Sequence, residues 1–290
     1  MGRCPAVAAG RRLPAPVSGT FRHPVLPHGL RKPEGIGTAF RRQMRVVGAL
    51  TLRELGTRFG RDNLGYLWLF LEPAMLGGAI GLLHHIAQQG LPGGLNPLEF
   101  WVIGYIPFYM LRGIINRAPV AIQANQSLLY HRHITLLDIL ISRSLLEGAA
   151  VLGALVVFLA LFGLVFGHWP ADPFKMLAGM VLMFLFSHGV AVLIAAGAVY
   201  TEIFERVVHL VTYLTLPITG AFFMVFWLPY EAQQAALWVP TVHMFELIRD
   251  GHFGKAVPTQ YDIGYVVGWI AALNLLGMAA LRHARRDLVL

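Results

Sequence analysis

Residues Arg53 to Pro73 read RELGTRFGRDNLGYLWLFLEP. The first eleven positions carry three arginines and two acids, whereas the last ten are lipid-type sequence interrupted only by Glu72 and Pro73. A dense polar run butts directly against the start of a membrane span. Pro73 permits a kink inside that span, and a carboxylate at such depth faces a helix bundle or water.

Composition extends this reading to the whole chain. The 290 residues are 56% hydrophobic and only 13% charged, with a mean hydropathy of +0.61. An ordinary soluble domain is about a quarter charged. The single cysteine, Cys4, excludes a disulfide framework within the chain and any multi-cysteine metal site.

A helix needs roughly 20 mostly apolar residues to cross about 30 Å of hydrocarbon. Six segments qualify: Leu64 to His84, Leu98 to Ile115, Leu145 to Phe166, Met176 to Tyr200, Val207 to Leu228 and Tyr261 to Leu281. Ten-residue segments of alternating hydrophobicity are absent, so the spans are expected to be helices rather than barrel strands. The fold class is all-α, a polytopic membrane protein with six transmembrane helices.

The charges sort by side. Of the 23 Lys and Arg, 20 fall on the side holding both termini, and only Lys175, Arg249 and Lys255 fall on the other. The positive-inside rule then puts both termini in the cytoplasm. It also explains the net charge of +8 by topology and attraction to anionic membrane lipids, so nucleic acid is not an expected partner.

Residues 1–36 are rich in Ala, Pro, Gly and Arg without an apolar signal-peptide region, and are expected to form a disordered basic tail. Over residues 37–63, Phe40, Met44, Val47, Leu55 and Phe59 recur at near-helical spacing, with arginines around most of the remaining surface. That pattern predicts an amphipathic helix at the membrane interface. Residues 64–290 form the six-span domain.

Catalytic and nucleotide-binding motifs are missing. GHFGKA at Gly251 to Ala256 lacks the first glycine and the terminal hydroxyl of a phosphate loop. There is no HExxH, no GxSxG and no pair of carboxylates on one expected face. His131 and His133 have no acidic or cysteine companion nearby and read as a polar loop rather than a metal site. The stretch Ile115 to Ala149 is too long for a turn. Its apolar periodicity predicts one helix, a break near His131 to His133, and a second helix running into span three. Glu147, at the start of that span, can reach Arg143 at the i, i+4 spacing.

Two stretches carry a resemblance. LTLRELGTRFGRDNLGYLWLFLEP and RAPVAIQANQSLLYHRHITLLDILISRSLLEGA resemble the inner-membrane permeases of ABC-2 type capsular polysaccharide exporters, relatives of the O-antigen and teichoic acid export permeases. The likeness runs from about Ala39 to Leu290 and includes the six-span layout and WVPTVHMFELIRDGHFG before span six.

The resemblance implies a permease in the bacterial inner membrane, itself not an enzyme. It would work as a homodimer with two copies of a separate ABC ATPase that binds ATP-Mg, this chain binding no cofactor, catalytic group or metal. Its substrate would be lipid-linked polysaccharide moved from cytoplasm to periplasm, with periplasmic and outer-membrane export proteins as further partners. An exporter of O-antigen, another lipid-linked polymer or a hydrophobic small molecule is the alternative, and a membrane-embedded envelope-synthesis enzyme or scaffold a more distant one.

It also implies residue roles. A cytoplasmic coupling helix maps to about residues 121–130, with Asn125, Gln126, Leu128 and Leu129 as ATPase contacts, a pattern suited to helix-in-groove docking. Re-entrant periplasmic gate helices map to the segment before span six, where Glu246 and Arg249 are three apart and can pair. A glycan conduit needs aromatic faces that grip sugar rings while letting them slide. Phe70, Tyr105, Tyr109, Phe222 and Phe223, with Glu72, are the candidate channel residues. Arg58 and Arg61 are the candidates for meeting an incoming anionic lipid head.

Overall fold

The computed structural model describes residues 36–59, isolated positions between 75 and 86, and residues 90–125, 134–201 and 203–287. The expected first span lies mostly outside the described residues. So do Arg61, Phe70, Glu72, Gln126, Leu128, Leu129, His131 and His133, and the side chain of Arg58.

Eight helices are bounded within the described residues, and no strand is found among them. They are α1 (Ile36–Phe59), α2 (Pro97–Asn116), α3 (Leu136–Phe166), α4 (Pro173–Ala198), α5 (Ile203–Thr215), α6 (Tyr230–Ala236), α7 (Pro240–Phe253) and α8 (Ile263–Asp287). Four of these, α2, α3, α4 and α8, are long and apolar enough to cross a membrane.

Local chemistry sets their ends. Asn96 caps α2 by accepting from the Leu98 amide at 3.0 Å. Thr135 opens α3 in a capping box, its hydroxyl accepting from the Asp138 amide while Asp138 accepts from the Thr135 amide. Gly167 closes α3 in a left-handed conformation with φ 74°, which a residue carrying a Cβ adopts only at a cost. Asp172 then caps α4 through the Lys175 amide at 3.0 Å, with Pro173 in the first turn.

α2 is the core of the bundle. Phe100, Tyr105, Ile106, Phe108 and Met110 along it are all buried, and α3, α4 and α7 surround them. By contrast α3 and α8 expose apolar side chains such as Val156, Leu164, Leu275 and Leu276, the outward face expected where lipid is the solvent. With 31 residues α3 is about 46 Å long, so it exceeds the hydrocarbon thickness by several turns. The second helix of the 115–149 stretch and span three are therefore one uninterrupted rod, as the periodicity implied.

α1 packs along the start of that rod. Gln43 donates to Asp138, Glu54 pairs with Arg143 at 3.3 Å, and Arg53 donates to Asn125 at 3.3 Å. Val47 and Leu50 are buried, while Phe40, Met44 and Leu52 stay exposed. The helix thus has one face clasped to α3 and another free to lie in a headgroup layer. Reversing one charge, Arg143→Glu, is expected to release α1, raising the rate of tryptic cleavage at Arg41 to Arg53 in membrane vesicles. The compensating pair Glu54→Arg with Arg143→Glu is expected to restore most of the protection, since a half-buried pair is worth about 1 kcal/mol.

Span five departs from expectation. The apolar run Val207 to Leu228 is not one helix: α5 stops at Thr215, residues 216–222 continue as turns and bends, and a short 3-10 turn follows at Val225–Trp227. Pro217 has no amide hydrogen to donate, and Gly220 takes φ +93°, each of which ends a regular ladder. Hydropathy alone gives no sign of such a break, because every residue across it is apolar or small.

Candidate functional site

The site is built around that break. Backbone polar groups at membrane depth tolerate irregular structure only where protein satisfies them. α7 does this. With 14 residues it is about 21 Å long, too short to cross, and it is buried along nearly its whole length.

Arg249 is 0% exposed. Its Nη1 donates to the Gly220 carbonyl at 2.7 Å and to that of Phe223, and its Nη2 donates to the Ala221 carbonyl. The guanidinium lies over the Phe100 ring, 4.3 Å from its centre. One cation therefore binds three carbonyls that a continuous helix would have paired internally. A planar five-donor group suits this fork, and it stays charged even here.

One turn earlier, Glu246 is 1% exposed and accepts from two amides, Val225 through Oε1 and Gln260 through Oε2, both at 3.1 Å. Thr241 donates to the Thr219 carbonyl at 2.9 Å. Glu246 and Arg249 share a helix face, yet no ion pair joins them. The expected direct pairing is replaced by a division of labour, in which the base binds carbonyls of the irregular segment and the acid binds two amides, one just after that segment and one in the loop before α8.

α4 holds α7 in place through small residues. Gly179 lies against Ile248, and Gly251 lies so close to Met176 that a Cβ there would approach its amide nitrogen to 2.4 Å. The loop before α4 adds hydrogen bonds from Asp172 to the Gly251 carbonyl at 2.7 Å and from Ala171 to that of His252 at 3.0 Å. Asp250 receives both Lys175 Nζ and the Tyr261 hydroxyl at 2.8 Å.

The other candidates are placed as follows. Tyr105 and Tyr109 are buried between helices, and Phe222 stands half-buried with its ring 5.2 Å from that of Trp101. Phe223 contributes the carbonyl bound by Arg249 and has a half-buried side chain. Tyr109 faces Arg112, which lies between it and Tyr213 at 5.4 and 5.0 Å. Asn125, in a short 3-10 turn at Gln123–Asn125, is buried, accepts from Arg53 and donates to the Ala121 carbonyl at 3.0 Å. Residues 117–122 before it are turns rather than α-helix. Glu147 pairs with Arg117 at 3.0 Å, and Arg143, four residues before it, pairs with Glu54.

One polar cluster was not foreseen. Glu99, buried at the start of α2, meets His168 after α3 and His252 at the end of α7. Nothing local could flag it, because the three residues come from three separate loops or helix ends. Among the described residues no group of three His, Cys, Asp or Glu is arranged to hold a metal ion.

A bundle whose long apolar helices turn lipid-type faces outward, with a broken apolar segment held by a buried arginine, is the build of an integral membrane protein. Residues 45–253 match the family described as ABC-2 type transporter, and the chain belongs to that family. It is 39% identical over 244 residues to the capsule polysaccharide export inner-membrane protein BexB of Haemophilus influenzae, covering 83% of this chain and 91% of that one. It is 39% identical over 240 residues to the capsule polysaccharide export inner-membrane protein CtrC of Neisseria meningitidis, covering 82% and 90%. The polysialic acid transport protein KpsM of Escherichia coli is 28% identical over 248 residues, covering 84% and 95%.

Proposed function

We propose that this chain is the inner-membrane permease of an ATP-driven exporter that moves lipid-linked capsular polysaccharide from cytoplasm to periplasm. The observation that carries the reading is the near full-length likeness to BexB and CtrC, whose names state capsule polysaccharide export at the inner membrane. The chain works as a homodimer with two copies of a separate ABC ATPase, which binds ATP-Mg. It crosses the membrane six times with both termini cytoplasmic, α5 and the irregular segment after it making the fifth crossing. The concentration of Lys and Arg on the α1 side supports that orientation.

α1 and the segment after α2 form the face that receives the ATPase, with Gln126, Leu128 and Leu129 as contacts and Asn125 tying them to α1. The clasp of α1 on α3 supports this, because it joins the proposed docking face to a rod that runs the full thickness of the membrane. Arg58 and Arg61 meet the anionic head of the substrate. Phe70, Glu72, Tyr105, Tyr109, Phe222 and Phe223 line the route when it opens, and the α6–α7 pair, held by Glu246 and Arg249, closes its periplasmic end.

Deleting the gene in its source strain tests the reading. Polymer is expected to accumulate in the cytoplasm, seen by immunogold labelling of thin sections, with surface capsule lost. A normal surface capsule in the deletion strain would overturn it.

A further inference from the structure

On the face opposite α1, an open cleft of about 630 Å³ lies between the loop before α2, the turn after α3 and the end of α7. Its size falls within the range of small-molecule sites, about 300–1,000 Å³. Its base is the Glu99 carboxylate, whose side chain is 4% exposed. Oε1 meets His168 Nδ1, and Oε2 lies 3.6 Å from His252 Nε2. His252 is buried, and its Nδ1 has no hydrogen-bond partner among the described residues. His168 is half exposed at the rim.

Beside this polar base stands Trp169, 59% exposed. The turn is built to hold it there. Gly167 reverses the chain with φ 74°, and the indole folds back onto Gly163, where a Cβ would come within 2.4 Å of the ring. A tryptophan that only anchored the chain at the membrane interface would need neither the glycine seat nor a buried acid and two imidazoles beside it.

A pyranose presents an apolar C–H face on one side and hydroxyls around its edge. The cleft offers the matching pair, an aromatic face and a buried network of one acceptor carboxylate with two imidazoles that can donate or accept. Hydroxyls can complete that network without adding charge to a site where an unpaired ion is costly.

We propose that this cleft is a saccharide-binding subsite on the periplasmic face, where Trp169 stacks on a sugar ring and Glu99 and His168 hydrogen-bond its hydroxyls. It rests on the export reading given above. The glycan leaving the route would be held there by its rings rather than by its sequence, and handed outward.

The test uses the full-length chain in lipid nanodiscs and oligosaccharides released from the capsule of the source strain. Saturation-transfer NMR is expected to show transfer to ring protons, and Trp169→Ala to weaken the affinity about tenfold, equivalent to about 1.4 kcal/mol. Trp169→Phe, which keeps an aromatic face, is expected to retain most of the affinity. Because the indole is largely exposed but also packs on Gly163, the melting midpoint is expected to stay near the parent for Trp169→Phe and to fall slightly for Trp169→Ala, so affinities are compared at a temperature where all three are folded. Absence of transfer, or equal affinity for Trp169→Ala and parent, would overturn the subsite. If the deletion strain still traps polymer in its cytoplasm in that case, the permease reading stands and only the cleft assignment falls. A deletion strain with normal capsule would instead remove the reading on which the cleft assignment rests.

Discussion

Arg249→Ala is expected to lower the stability of the detergent-solubilised chain by about 3–5 kcal/mol and to abolish capsule export. The size follows from what the side chain holds. Three carbonyls, those of Gly220, Ala221 and Phe223, lose their donor together, the first two in a fully buried setting. Each buried acceptor left unmade costs about 1–3 kcal/mol, before the void over the Phe100 ring is counted. Arg249→Lys is expected to recover little. An ammonium can reach one or two of the carbonyls, but it cannot reproduce the planar fork or stack on the ring. Thermal unfolding followed by tryptophan fluorescence checks both variants. A midpoint for Arg249→Ala equal to that of the parent would show that the irregular segment is held by something other than this side chain.

The same residue marks the border of what the sequence discloses. The apolar rods were legible. Spans expected at 98–115, 176–200 and 261–281 appear as α2, α4 and α8, because a long apolar run leaves a lipid-embedded chain no other way to pair its amides, and α2 continues even through Pro107. The fusion of the second helix expected in the 115–149 stretch with span three was legible too, in an apolar period that never lapses between Leu136 and Phe166. Span five was misread because hydropathy reports transfer into lipid and not backbone continuity. The relevant signs, Pro217 and Gly220, are two residues in an otherwise uniform run. The role of Arg249 was half visible. A cation expected at membrane depth has to be compensated, and Glu246 three residues earlier was the obvious partner on one helix face. The actual partners are carbonyls 26 to 29 positions away, which exist as free acceptors only because span five is broken. The Glu99 cleft was invisible for a related reason. Its members meet through tertiary packing, and none sits in a local motif.

Gly104→Ala is expected to destabilise the chain by about 3 kcal/mol, the top of the usual range for overpacking a core. Gly104 lies on α2 directly beneath the broken span, and a Cβ there would stand 2.2 Å from the Ala221 carbonyl oxygen and 3.1 Å from Arg249 Nη2. The obstacle is backbone, not the end of a flexible side chain, so the strain has no cheap outlet. Close approach through glycine is a common device between membrane helices. Here it brings a helix against an irregular segment instead of a second helix. The control is Gly268→Ala on α8, where a Cβ meets nothing within 4 Å. That change is expected to leave the melting midpoint unchanged or to raise it, since glycine inside a helix is worse than alanine by about 0.5–1 kcal/mol. The two α2-facing changes should also fail to add. Gly104→Ala displaces the very carbonyl that Arg249 binds, so in the double variant with Arg249→Ala part of each loss has already been incurred by the other. A coupling of about 1 kcal/mol or more in a double-mutant cycle would establish that α2, the break after α5 and α7 form one mechanical unit. Strict additivity would mean that Gly104 is needed only for helix packing, and that α2 does not sense the state of the Arg249 clasp.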